Sequence, residues 1–216
     1  MKKIVVIGAG FAGIAAASVL SKHGHAVTVL EKNETLGGRA RIFQTQGFTF
    51  DMGPSWYWMP DVFEHYFNLF GKTVADFYEL KQLDPSYAIF FGKDEVLNVP
   101  AGMDELYALF ESIKPKSGAQ LQSYLREAAY KYEVGMQDLV YKPGRSLLEF
   151  ADRRFLKGLF KLHVFESLHR YVRRRFSDIR LIRLLEFPVL FLGGTPKNTP
   201  ALYSLMNYAG LSLGTW

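Results

Sequence analysis

Residues 3–31 read KIVVIGAGFAGIAAASVLSKHGHAVTVLE, and the fold follows from them. Lys3–Ile7 is a short, β-branched, nearly all-apolar run. It reads as a strand buried on both faces, and therefore parallel to its neighbours. Gly8-Ala9-Gly10-Phe11-Ala12-Gly13 follows at once. A helix is expected from about Phe11 to His23, with Gly24 as its stop. Ala26–Leu30 is the next strand, and Glu31 stands at its C-terminal end. This is a βαβ unit in about thirty residues. Met1 to Leu20 superficially resembles a signal peptide, but Gly8, Gly10 and Gly13 interrupt it. A second apolar strand also follows directly, so the stretch reads as strand plus helix.

Each position has a physical task. Gly8 permits the tight turn out of the strand, Gly10 lets backbone approach a pyrophosphate, and Gly13 lets helix and strand pack closely. The helix start offers unpaired N–H groups and a partial positive charge to phosphates. Glu31 can accept hydrogen bonds from ribose hydroxyls and would repel a 2′-phosphate, which disfavours NADP. Gly37-Gly38 reaches backbone conformations closed to residues with a Cβ, and Arg39 can approach the pyrophosphate.

Residues 4–40, through Leu36-Gly37-Gly38-Arg39, resemble the opening of the FAD family that includes amine oxidases, protoporphyrinogen oxidases and carotenoid desaturases. The resemblance implies FAD in preference to NAD. It also implies that Gly53-Pro54-Ser55 lies beside the flavin. The run Gly53–Tyr57 with Met59-Pro60 is similar to bacterial-type phytoene desaturases. So are Phe191–Pro196, Thr199–Tyr203 and Leu213–Trp216. The candidate cofactor-binding residues are therefore Gly8, Gly10, Phe11, Ala12 and Gly13, then Glu31 and Lys32, then Gly38 and Arg39, then Gly53, Pro54 and Ser55. No catalytic acid or base and no metal ligand set is assigned.

The resemblance implies removal of hydrogen across a C–C bond beside a polyene, carrying phytoene towards lycopene, with quinone or oxygen as electron acceptor. It implies a carotenoid substrate and a peripheral place on the cytoplasmic inner face of the cell membrane. Other members of the superfamily, such as an amine oxidase or another carotenoid desaturase or ketolase, are the enzyme alternatives. A prenyl-chaperone relative without flavin is the non-enzymatic one. Intact Gly8, Gly10, Gly13, Glu31 and Gly37-Gly38-Arg39 argue against it. Family members run roughly as long again, so the chain is expected to be an N-terminal half, incomplete at the C-terminus and inactive alone.

The chain has 216 residues with 49% hydrophobic and 22% charged, ordinary for a globular protein. There is no Cys, which excludes a disulfide framework and Cys-ligated zinc. The 18 Phe and 12 Tyr suit a Phe-rich core better than a large apolar cavity. Net charge is +5, but residues 152–183 alone hold ten Lys/Arg against three Asp/Glu. Their apolar positions recur at steps of three and four, giving one apolar helical face. Two readings stand: a cap helix with a solvated basic face, or a surface meeting anionic lipid headgroups. No nucleic-acid motif is present.

The expected fold class is α/β. Residues 1–76 form the N-terminal part of a Rossmann-type FAD-binding domain, including a strand at 47–51 and a helix from Pro60 to Phe70. Residues 77–103 form a β-meander from three short runs, 77–83, 87–91 and 96–99. Residues 104–216 form a helical substrate or membrane region, with helices at 104–113, 117–141, 146–176, 178–191 and 199–212.

Overall fold

The computed structural model describes residues 1–53, 56–140 and 161–216. The chain divides into two compact units, Met1–Leu80 and Lys81–Trp216. The β-rich segment after residue 81 belongs to the same unit as the helices.

In the first unit β1 (Lys3–Ile7), α1 (Phe11–Lys22) and β2 (Ala26–Leu30) form the expected βαβ. The strands pair in parallel from Lys3↔Ala26 to Ile7↔Leu30. Gly24 ends the helix at φ +78. Val6 lies on the face towards α1, where its Cγ1 approaches the site a Gly13 Cβ would take. The expectation of a strand buried on both faces is corrected here. Val5 and Ile7 point away from that helix, and Ile7 is 86% exposed. Among the described residues, one helix covers one face of a two-stranded sheet.

A hairpin follows, β3 (Ile42–Thr45) with β4 (Phe48–Asp51). The sequence reading anticipated only its second strand. Gln46 and Gly47 both take positive φ, the turn that suits the twist of a two-residue hairpin loop. Phe43 and Phe50 are cross-strand partners and stack at 6.3 Å. Next come α2 (Pro60–Asn68), with Pro in its first turn, and a short 3₁₀ turn, Val74–Asp76. Thr73 and Asp76 close that turn with reciprocal capping bonds.

In the second unit the expected three-run meander is a two-stranded hairpin, β5 (Tyr87–Phe91) with β6 (Glu95–Val99). Residues 77–83 form no strand. Phe77 and Tyr78 spend their rings on Phe67 of α2, and the Leu83 N–H donates to Thr215 O at 2.9 Å. Helices α3 (Met103–Ile113) and α4 (Ser117–Glu133) are antiparallel neighbours in sequence. Wide helical turns continue α4 over Val134–Leu139. The Glu111 carboxylate accepts from the N–H groups of Lys116 and Gly118 at 2.8 and 3.1 Å. It thereby caps α4 from the preceding helix. A Cβ on Gly118 would sit 2.9 Å from Tyr107 O, so glycine permits that close approach.

The single helix expected over 146–176 is corrected where the chain is described; residues 146–160 lie outside the described residues. His163 takes φ +51, and a new helix, α5 (Leu168–Arg173), starts from Ser167, whose side chain accepts from the Arg170 N–H. Asp178 caps α6 (Ile179–Glu186) in the same way. Pro188 then tightens the chain into a 3₁₀ stretch, Phe187–Leu192. The expected helix over 199–212 is also corrected. It is three short windings, Ala201–Ser204, Leu205–Asn207 and Tyr208–Ser212. The core of this unit joins Leu106, Phe110, Leu121, Tyr124, Tyr171, Phe176, Leu181 and Leu184, all buried. Tyr124 and Phe110 each meet Phe176 edge-on at 5.9 Å, so here the aromatic richness is core.

The basic stripe behaves differently from the sequence picture. Arg173 pairs with Glu186, Arg174 with Glu166, Arg175 with Glu127, and Arg180 with Asp178 and Glu95. Arg170 and Arg183 are exposed; Arg153, Arg154 and Lys157 lie outside the described residues. No helix among the described residues is long and apolar enough to cross a membrane.

Candidate functional site

The turn after β1 is built from backbone. Gly8 adopts φ +96 and its N–H donates to Leu30 O at 2.7 Å, tying the turn to the end of β2. A Cβ on Gly13 would collide with the Gly8 carbonyl oxygen. Gly13 is therefore required by the protein's own packing. Gly10 is not. Its φ is −80, and among the described residues a Cβ there would meet only Gly38 Cα, at an ordinary 3.8 Å. Gly10 opens α1 with no side-chain cap, and the first helical bond is Ile14 N–H to Gly10 O at 2.9 Å. The N–H groups of Phe11, Ala12 and Gly13 thus have no acceptor in the helix.

The double-glycine turn is brought to this place. The Gly37 N–H donates to Ala9 O at 2.8 Å, and Gly37 and Gly38 both take positive φ. A Cβ on Gly38 would stand 3.1 Å from Gly10 Cα, so the two loops face each other backbone to backbone. The Arg41 guanidinium donates to Gly38 O at 3.2 Å and steadies the turn. Arg39 is exposed on it. Gly53 joins the same group, because a Cβ there would be 2.6 Å from Arg39 O. Pro54 and Ser55 lie outside the described residues.

Glu31 is half-buried and points back at the turn. The Ala9 N–H donates to its Oε2 at 2.7 Å. The Asn33 backbone N–H and side-chain Nδ2 donate to its Oε1 at 2.9 and 2.8 Å. These donors, the Ala9 N–H foremost, hold its carboxyl below the usual range and keep it ionised. Lys32 is exposed, and only its backbone N–H acts on Glu31. Phe11, at the helix start, meets Phe63 edge-on at 5.9 Å, and Tyr57 lies 4.4 Å beyond Phe63. Tyr57 shares a 2.9 Å hydroxyl contact with Tyr78, so an aromatic wall begins at the turn.

The structure therefore gathers Gly8, Gly10, Phe11, Ala12, Gly13, Glu31, Gly38, Arg39 and Gly53. Sequence reasoning missed Asn33 and Arg41. The signal for Asn33 was its place two residues after an acid, where a short amide can bond locally. The arrangement fits a dinucleotide. Unpaired N–H groups and the space beside Gly10 suit a diphosphate, and an ionised acid stands at the strand end for ribose. Among the described residues nothing requires Gly10 to lack a side chain, whereas close approach of a diphosphate to the backbone there would.

Known proteins agree with this geometry. The NAD(P)-binding Rossmann-like domain family matches residues 6–73. The carotenoid 3,4-desaturase of Haloarcula japonica is 38% identical over 214 residues, 99% of this chain and 43% of that protein. A 4,4′-diapophytoene desaturase of Staphylococcus aureus, named as 4,4′-diaponeurosporene-forming, is 35% identical over 212 residues, 98% of this chain and 42% of that protein. The chain thus spans less than half the length of these relatives. Among solved structures, an oxidoreductase from Methanosarcina mazei aligns over 100% of this chain and 44% of its own, with TM-score 0.58 and 18% identity. Putrescine oxidase bound to putrescine aligns over 97% of this chain and 42% of its own, with TM-score 0.55 and 16% identity. These structures bear out the Rossmann-like α/β fold. The matched family is a dinucleotide-binding one, in line with a nucleotide cofactor at this site.

Proposed function

We propose that this chain, a relative of the carotenoid and diapophytoene desaturases, is the FAD-binding part of an oxidoreductase that desaturates an acyclic carotenoid precursor. The specific form proposed is phytoene taken towards lycopene. The observation that carries the cofactor reading is the space at Gly10, flanked by three unpaired helix N–H groups and the ionised Glu31. Bound FAD supplies a two-electron acceptor: one carbon loses a hydride to it, the neighbouring carbon loses a proton, and a C–C single bond becomes double.

The chain's own residues bind and orient. The N–H groups of Phe11, Ala12 and Gly13 suit the diphosphate, and Arg39 adds positive charge beside the Gly37-Gly38 turn. Glu31 accepts from ribose. The wall of Phe11, Phe63 and Tyr57 offers apolar surface next to the turn. It helps keep water from a hydrocarbon. The carotenoid substrate rests on the relatives' names and on the sequence resemblance. A quinone or oxygen is proposed as reoxidant.

The proposed location is the cytoplasmic face of the cell membrane, because a long hydrocarbon substrate resides in the bilayer. Residues 152–183, with exposed Arg170 and Arg183, are the proposed contact.

Phytoene-making cells carrying the full-length gene test the reading. Coloured, more unsaturated polyenes are expected, together with bound flavin in the purified protein. Bound flavin with unchanged phytoene would overturn the substrate, and protein purified without flavin would overturn the cofactor.

A further inference from the structure

A carboxylate has two oxygens and about four acceptor positions. In Glu31 both donors of Asn33 sit on Oε1, at 2.9 and 2.8 Å, while Oε2 takes the Ala9 N–H at 2.7 Å, and the Lys32 backbone N–H also acts on the carboxylate. Of the two oxygens, Oε1 takes two donors from a single neighbouring residue. The other keeps a position open and is at the same time fastened to the glycine turn. Left alone, an exposed Glu side chain samples several rotamers. Here it is fixed from both ends.

We propose that Asn33 is a positioning residue of the dinucleotide site. By occupying Oε1 of Glu31 with its amide and its backbone N–H, it presents Oε2 to a ribose hydroxyl. This rests on the FAD reading above. The consequence is a one-oxygen contact: the ribose is read through Oε2, and Oε1 belongs to the protein. Asn suits the position because it is short and carries a donor at the right reach. Aspartate has the same shape and makes the same local turns, but it has no donor and would bring a second negative charge against Glu31.

That contrast supplies the test. The protein expressed from the full-length gene is titrated against FAD by quenching of flavin fluorescence, with Asn33→Ala, Asn33→Ser and Asn33→Asp beside the wild type. Loss of one hydrogen bond to Glu31 predicts about fivefold weaker FAD binding for Asn33→Ala. Asn33→Ser retains a donor and is expected within about threefold of wild type, and Asn33→Asp at least about tenfold weaker. In a Glu31→Ala background, Asn33→Ala is expected to change affinity by less than about twofold, because its partner is gone. Thermal melting of each apoprotein confirms that the variants are folded.

Asn33→Asp binding as well as wild type would overturn the proposal and leave Asn33 a turn residue. So would an Asn33→Ala effect that persists undiminished without Glu31. Wild-type protein that binds no FAD would instead overturn the cofactor reading, and this proposal with it.

Discussion

In the first unit Ile7 is 86% exposed and Phe48 66%, while in the second Phe110, Leu184 and even Lys131 are fully buried. The two regions are held by different means. Residues 1–80 take their shape from backbone: positive-φ glycines, an N–H to a carbonyl across the turn, and an N–H to Glu31. Residues 81–216 take theirs from side chains that close around each other. Binding a cofactor by its diphosphate calls for exposed backbone, which a tightly closed core would deny. The difference shows that in this chain the ligand-facing features and the packed core are kept apart in sequence.

The largest expected effect marks that contrast directly. Phe110→Ala removes a ring from the closed core, where it meets Phe176, and should cost about 3–5 kcal/mol in denaturant unfolding. Phe48→Ala, in the exposed hairpin, should cost less than about 1 kcal/mol. Equal losses at the two sites would break the comparison, because they would make Phe48 part of a core.

The second prediction separates two glycines within one motif. Gly10→Val adds a side chain whose Cβ the described residues have room for, since only Gly38 Cα is near and φ is −80. Apoprotein stability should fall by less than about 1 kcal/mol, the cost of a poor helix start. Flavin should nevertheless be absent from the purified protein. Gly13→Ala should do the reverse: its methyl meets the Gly8 carbonyl oxygen, so the fold of the unit loses stability first. Flavin at normal content in Gly10→Val would remove the dinucleotide from this turn.

The same division explains what could be read from the sequence. The bounds of β1 and β2 matched because Gly8 and Gly24 punctuate an otherwise unbroken apolar pattern. Gly8, Gly10, Gly13 and Glu31 could be picked out for a related reason, since their places are local and fixed by spacing. Gly53 came from resemblance, and the structure shows why it must be small. β3 was missed because four residues before a Gln-Gly turn carry little period. The arginine stripe at 170–183 was visible as a pattern, but its meaning was not. Arg180 reaches Glu95 and Arg175 reaches Glu127, partners dozens of residues away that no local rule supplies. Asn33 was local, yet its value depends on which oxygen of Glu31 it takes.

Lys131 is the clearest long-range case, and it carries the smallest prediction. Its ammonium is buried, donating to Ser204 Oγ at 2.9 Å and Ala201 O at 3.3 Å, and lies 3.9 Å from the centre of the Tyr171 ring. Burial pulls its pKa from 10.5 down to about 7, with Glu127 attraction opposing and Arg175 repulsion adding to the shift. The folded value lies below the unfolded one. Below pH 7 both states hold the proton, and the folded protein bears the full cost of burying it. Between 7 and about 10 the unfolded chain binds more protons, so stability rises with pH. Lys131→Met keeps the volume and removes the charge, and Ser204 still satisfies Ala201 O at 2.8 Å. At pH 6 the variant should be more stable than wild type by about 2 kcal/mol, part of the gain being offset by the lost Ser204 and Tyr171 contacts. As pH rises through 7 this advantage should shrink, and by pH 9.5 it should have reversed, since other titrating groups are common to both proteins. A variant less stable at pH 6 would mean that the ring and hydroxyl contacts outweigh desolvation. The core of residues 81–216 would then depend on a charge, as the first unit depends on Glu31.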